Sequence, residues 1–262
     1  MNPIAFHIGN VAIHWYGILV AIGFLAGFWT ASRRAPLDGL SSESVADIGP
    51  WLIVGGLVGA RMLYVITYWQ EDFSGAPLVD IFKIRQGGLV FYGGFIGATL
   101  CAIFYVRKNK IPIWKMADAL APSIALGHAF GRLGCLMTGC CYGKACSLPW
   151  SITFPRDHVT HPIAVHPTQL YESFFNFALF AGLAWIYRKK KFDGQVFALY
   201  LMAYAFLRAV NELFRGDYEP SKHLGILTPG QLPGLLVMSA GIPMWLFCRS
   251  QIRKEKLQTQ EY

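Results

Sequence analysis

The sequence predicts an all-α, polytopic membrane protein, a bundle of seven transmembrane helices, and three observations lead there. Of its 262 residues 54% are hydrophobic and only 15% charged, where an ordinary soluble domain carries about 25% charged residues. The mean hydropathy is +0.39, more apolar surface than a soluble core of this length can hide. Seven separate stretches reach the roughly 20 mostly apolar residues that a helix needs to cross hydrocarbon. Disorder, a collagen repeat and a secreted disulfide framework are excluded by the same composition. No soluble domain fits between the stretches, so residues 1–262 read as a single integral membrane domain.

The first span, 13–32, has no basic segment before it and Arg33-Arg34 after it, the pattern of a retained anchor rather than a cleaved signal. Spans two and three cover 48–68 and 88–106, the third closed by Arg107 and Lys108. The fourth covers 116–137. The fifth, 168–187, opens after Pro167 and ends in Arg188 and a lysine run to Lys191 that reads as a cytoplasmic anchor. The sixth and seventh cover 194–213 and 228–248, with Arg249 beyond. Unpaired backbone groups are too costly in hydrocarbon for anything but helices or closed barrels, and these runs are too long and uniform for barrel strands. Glycine pairs at four-residue spacing (Gly23/Gly27, Gly55/Gly59, Gly127/Gly131) mark sites of close helix approach.

Basic residues resist translocation, so their distribution orients the bundle. One set of loops and the tail hold 14 of them and the opposite side six. The N-terminus is therefore expected in the periplasm and the C-terminus in the cytoplasm. The net charge of +8 and the pI of about 9.2 then reflect topology and anionic lipid, not nucleic acid.

Three arginines, Arg61, Arg132 and Arg208, fall inside spans, where an unpaired one costs roughly 2.5–3.5 kcal/mol. Glu172 and Glu212 are acids within reach, and Arg208 and Glu212 share a helical face with Tyr204 one turn earlier. Internal ion pairs that fix helix register are one reading. An anion site in the bundle is the sharper one: arginines outnumber acids, and the guanidinium fork suits phosphate. For a protein embedded in lipid, the abundant phosphate is a phospholipid headgroup.

Five segments then stand in order along the chain: His14-Trp15-Tyr16-Gly17; Gln86-Gly87-Gly88-Leu89-Val90-Phe91-Tyr92-Gly93-Gly94; Gly131-Arg132-Leu133-Gly134-Cys135 through Gly143; His166-Pro167-Thr168-Gln169-Leu170-Tyr171-Glu172; and Tyr204-Ala205-Phe206-Leu207-Arg208 with Glu212-Leu213-Phe214-Arg215. Together they closely resemble the bacterial prolipoprotein diacylglyceryl transferases. The resemblance implies an inner-membrane enzyme working on the periplasmic side. It would move the diacylglyceryl group of phosphatidylglycerol to the lipobox cysteine of a preprolipoprotein, releasing glycerol 1-phosphate, with no metal or organic cofactor. Arg132, Arg208, Glu212, Tyr16, Gln169 and Tyr171 match the family pattern. Many members carry histidine where this chain has Tyr92. The family's usual Asn, Asn and Glu after Gly-Arg-x-Gly are here Cys135, Thr138 and Cys140.

The implied chemistry assigns catalytic roles to Arg132 and Arg208, as cations that stabilise a leaving phosphate, with Glu212 and Tyr92 beside them. Tyr92 is a candidate base, a hydrogen-bonding or lipid-positioning residue, or packing. His14 and His166 are further candidates for the base. Substrate contacts are expected from Arg132, Arg208, Tyr16, Tyr204, Arg61, His166, Gln169 and Tyr171.

Cys135, Cys140, Cys141 and Cys146 crowd the end of span four. With His158, His161 and His166 nearby a metal is conceivable, but the C-x2-C pairs of structural zinc sites are missing, so none is expected. A loop disulfide using Cys146 is an alternative to packed thiols. Trp15, Tyr64, Tyr68, Trp69, Trp150 and Tyr187 read as an interfacial belt. The irregular stretch 138–165, with its prolines, suits contact with a peptide. A paralogue acting on another acceptor and, from a different class, an anion transporter remain alternatives, though no internal repeat favours transport.

Overall fold

The computed structural model describes residues 3–75, 77–84, 87–217 and 231–260. Arg85, Gln86, Lys222 and the start of the seventh expected span lie outside them. Among the described residues are seven helices of 18 residues or more: α1 (Trp15–Arg34), α2 (Ser42–Thr67), α3 (Phe91–Lys108), α4 (Ile113–Thr138), α5 (Thr168–Tyr187), α6 (Gln195–Glu212) and α7 (Gln231–Gln260). Their positions follow the seven apolar runs, with α5 starting and ending where the hydropathy places it. Helix α7 runs 12 residues past its apolar run. Two segments, Trp15–Asp38 and Ser42–Thr67, have the length and apolar composition to cross a membrane by themselves. Gln169, Glu172 and Asn176 in α5, and Arg208, Asn211 and Glu212 in α6, dilute the others.

One element departs from an all-helical chain. Strands β1 (Ile4–Ile8) and β2 (Val11–His14) form an antiparallel hairpin that leads straight into α1. Gly9 turns it at φ 57°, in the left-handed region that glycine adopts without a Cβ clash. Alternating residues around a Gly-Asn turn are a readable hairpin signal, but nine residues in two strands lie below the length at which hydropathy speaks.

Helix α1 packs chiefly on α4, α2 on α3, α4 on α5 and α6 on α7. The α2–α3 contact is backbone on backbone: a Cβ on Gly59 would stand 2.3 Å from the Gly93 oxygen, and one on Gly55 2.6 Å from that of Gly97. On α1, Gly23 and Gly27 face Gly127 and Ser123 of α4. Gly131, by contrast, has open space around it.

The interior is divided. The apolar core (Ala31, Val45, Ile48, Met116, Ala119, Leu183, Val196 and neighbours) gathers at the end of the bundle holding the end of α1 and the starts of α2, α4 and α6. Toward the opposite end the buried side chains are Thr168, Gln169, Glu172, Ser173, Asn176, Asn211, Glu212 and Arg215. Outward-facing residues are apolar: Leu25, Trp29, Ile66, Phe95, Leu100, Phe174 and Trp185 are all exposed. Polar inside and apolar outside is the arrangement hydrocarbon demands and water penalises.

At the apolar end the lysine run is more than an anchor. Lys190 is buried, its ammonium paired with Asp38 and 3.0 Å from both Asp118 and Asp193. Burial works against its charge, but the three carboxylates outweigh it and hold Lys190 above the usual lysine range. Asp118 also accepts from the backbone nitrogens of Gly194 (2.8 Å) and Phe197 (2.9 Å), capping the start of α6. Tyr187, expected in an aromatic belt, is buried beside this cluster.

Candidate active site

Three helix ends converge at the polar end: the C-terminus of α4, the N-terminus of α5 and the C-terminus of α6. Helix α4 closes with a Schellman turn. Gly139 takes the left-handed conformation (φ 83°), its nitrogen bonds to the Leu136 oxygen, and Cys140 bonds to that of Cys135. Cys141 is left-handed too (φ 62°), at a cost of roughly 1–2 kcal/mol for a residue with a Cβ. Its conformation is held from α5. Thr168 Oγ1 donates to the Cys141 carbonyl and Gln169 Nε2 to that of Cys140, each at 2.6 Å. Gln169 thus acts first as a clamp on the turn.

Arg132, six residues before the end of α4, reaches α5: its Nη2 lies 3.1 Å from Glu172 Oε1, and its Nη1 is 3.5 Å from Cys141 Sγ. The other Glu172 oxygen accepts from Asn211 Nδ2 of α6 at 2.9 Å. Arg208 pairs with Glu212 one turn along α6. Beyond it Arg215 makes a two-pronged contact with Asp217, at 2.9 and 2.6 Å. Both inner arginines therefore have carboxylate partners, as the ion-pair reading requires, yet neither is sealed. The Arg132 side chain is 21% accessible and that of Arg208 12%. The excess of buried arginine lies elsewhere, at Arg34 and Arg61.

Tyr204 belongs to the group, since Glu172, Arg132 and Arg208 all act on its hydroxyl. Tyr16 enters from α1. A Cβ on Gly134 would meet its ring at 2.9 Å, and its hydroxyl feels Arg132 and the thiols of Cys135, Cys140 and Cys141. Those three sulfurs lie within 4.8 Å of one another. Hydrogen bonds from Cys135 and Cys140 draw the Cys141 thiol far below the ordinary range, while Cys135 and Cys141 push Cys140 up.

His166 and Tyr171 form an adjoining cluster. Tyr171 Oη lies 3.2 Å from His166 Nδ1 and accepts from Trp150 Nε1 at 2.8 Å, with the Phe214 ring packed on both. Beneath it Gly143 and Gly216 let three backbones meet, Gly143 bonding to the His166 oxygen and Lys144 to that of Phe214. The stretch expected to be irregular is thus stitched to the ends of α5 and α6.

Two expected site residues are not drawn in. Arg61 donates to the carbonyls of Asp80, Ile81, Gly87 and Gly88 at 2.7–3.1 Å, so it organises the α2–α3 connection. A side chain on Gly88 would stand 2.6 Å from its Nη1. Tyr92 is exposed near the start of α3, its ring against Phe91. The loop histidines have structural partners: His158 bonds to the Gly139 carbonyl and Thr160, His161 to the Phe154 carbonyl. All six cysteines are free thiols, and Cys146 accepts from the Leu148 nitrogen. Sequence reasoning passed over Asn211, three residues from Arg208 in a motif already under inspection.

The family described as prolipoprotein diacylglyceryl transferase matches residues 3–247. The chain belongs to the prolipoprotein diacylglyceryl transferase family. Among curated relatives, a phosphatidylglycerol–prolipoprotein diacylglyceryl transferase of Finegoldia magna is 36% identical over 97% of this chain and 98% of its own. Enzymes of the same name from Clostridium tetani and Bordetella bronchiseptica are 33% and 34% identical. The first covers 97% of this chain and all of its own, the second 94% and 95%.

Proposed function

We propose that this chain transfers the diacylglyceryl group of phosphatidylglycerol to the lipobox cysteine of preprolipoproteins, the first step of bacterial lipoprotein maturation. The observation that carries the reading is the pair of partly accessible arginines, each held by a glutamate, at the polar end of a bundle of apolar-coated helices. Family membership over nearly the whole chain supports the substrates.

In the reaction the cysteine sulfur attacks a glyceryl carbon. A C–S bond forms, the C–O bond to phosphate breaks, and glycerol 1-phosphate leaves as the thiol proton is lost. Charge grows on the leaving phosphate, and Arg132 and Arg208 are in place to stabilise it without reorganising. Glu172 and Glu212 aim the two guanidinium groups, and Asn211 holds Glu172. The thiol, about 97% protonated at pH 7 for a pKa of about 8.5, needs only about 2 kcal/mol of thiolate stabilisation to reach a pKa near 7. A cationic pocket can supply that without a dedicated base. Tyr92, exposed at a helix start, fits lipid positioning better than proton transfer.

On this reading the protein crosses the bacterial inner membrane seven times, N-terminus periplasmic, with the site opening to the periplasm. The 14-to-six distribution of basic residues supports this. The deciding experiment incubates the purified protein with phosphatidylglycerol and a lipobox peptide. A diacylglyceryl mass gain on the peptide cysteine, with equimolar glycerol 1-phosphate, is expected. Lipid turnover without that gain would transfer the reading to another acceptor.

A further inference from the structure

We propose that Cys135, Cys140 and Cys141 form a three-thiolate binding site for a soft divalent cation of the zinc class at the outer end of α4. Their sulfur atoms all lie within 4.8 Å of one another. Zinc–sulfur bonds of about 2.3 Å set sulfurs about 3.8 Å apart around a tetrahedral ion. The sulfurs have roughly 1 Å or less to close to reach that geometry. The linear spacing, four residues and then none, does not resemble a zinc motif. The turn makes the site: Gly139 at φ 83° reverses the chain, and Cys141 at φ 62° brings its sulfur back over the helix end.

Cys140 is exposed and the other two are half-buried, so an ion has a way in and a wall to sit against. His158, whose ring packs by the turn, has Nε2 on the Gly139 carbonyl (2.7 Å) and Nδ1 on Thr160 (2.9 Å), which leaves the fourth position to water. Binding requires all three sulfurs as thiolates, and any thiol proton still held leaves to solvent. Three thiolates and a divalent ion carry a net charge of −1, and Arg132, 3.5 Å from Cys141 Sγ, lies where it offsets that charge. Soft thiolates favour zinc and cadmium over magnesium or calcium.

The test uses the full-length protein in detergent under a thiol-free reductant, with cadmium as the probe. A thiolate-to-cadmium charge-transfer band in the ultraviolet is expected to saturate at one equivalent per chain, and zinc to displace it. Cys135→Ser, Cys140→Ser and Cys141→Ser each weaken binding roughly ten-fold or more, whereas Cys101→Ser, Cys146→Ser and Cys248→Ser do not. Exposed Cys140 is the deciding position, because its replacement leaves the helix interior untouched. In parallel, one equivalent of zinc should protect the three thiols of the unaltered protein, and not Cys146, from alkylation. An undiminished band in Cys140→Ser, or alkylation unaffected by zinc, overturns the site.

Discussion

Glu172 Oε1 lies 3.1 Å from Arg132 Nη2, joining α5 to α4, while its second oxygen is held by Asn211 of α6. One carboxylate therefore sets the position of a guanidinium from one helix using a donor from another. Glu172→Gln keeps the shape but removes the charge that aims Arg132. Transfer is expected to fall at least roughly ten-fold, and Asn211→Leu, which frees the carboxylate to turn, to lower it less. A kcat loss with KM for the lipid nearly unchanged would mark misaimed transition-state stabilisation. Full activity in Glu172→Gln would remove the aiming role.

Arg132→Ala and Arg208→Ala each take away a cation that the proposed mechanism sets against the leaving phosphate, and losing one such donor costs roughly 10²–10³ in rate. Both variants should still insert, since neutralising one member leaves a glutamate that can protonate. Thioether product measured by mass spectrometry on equal amounts of inserted protein checks this. Near-normal product from both would dispose of the electrostatic mechanism.

Helix approach offers a test independent of chemistry. Gly59→Ala places a methyl 2.3 Å from the Gly93 oxygen and 2.9 Å from the Gly97 Cα, backbone that cannot step aside. Overpacking of this kind costs about 1–3 kcal/mol. Gly182→Ala, in α5 with nothing within 4 Å, should be neutral or stabilise by about 0.4–1 kcal/mol. Thermal unfolding in detergent compares the two.

These contrasts mark what could be read from the chain. The helices were legible because hydrocarbon imposes a length and a composition on each, and Arg208–Glu212 because helical periodicity places residues four apart on one face. Arg132–Glu172 was legible only as a shortage of acids, since 40 residues of chain separate the two. The surroundings of Arg61 were not legible, because carbonyl partners leave no trace in sequence. Gly87 and Gly88, in the same motif list, were its unrecognised acceptors. The clustering of three thiols depends on two left-handed residues, Gly139 and Cys141, and only the glycine announces itself. The surroundings of Lys190 were missed because a run of like charges is usually solvated, and two of its three acids, Asp38 and Asp118, come from distant segments.

Accessibility to a membrane-impermeant thiol reagent tests the orientation. In a background with the native cysteines replaced, Val159→Cys, at a position 81% exposed between α4 and α5, should label in intact cells. Ser42→Cys, at the start of α2, should label only after the membrane is opened. The reverse pattern would invert the topology and put the arginine pocket on the cytoplasmic face.

Lys190 provides the last test. Its ammonium meets Asp38, Asp118 and Asp193, and Asp118 is wholly buried. Lys190→Met leaves that carboxylate without its counter-charge, and removing one partner of a buried pair costs about 3–5 kcal/mol. The folded state raises the lysine pKa, so its contribution is complete below the unfolded-chain value of about 10.4. It disappears only as pH climbs through the higher folded-state value. The stability gap between the parent and Lys190→Met should thus be level through neutral and mildly alkaline pH and narrow beyond it. Asp118→Asn combined with Lys190→Met should recover part of the loss, because the orphaned charge is gone while the amide oxygen still accepts from the start of α6. A double variant no more stable than Lys190→Met alone would show that the lysine acts through packing rather than charge.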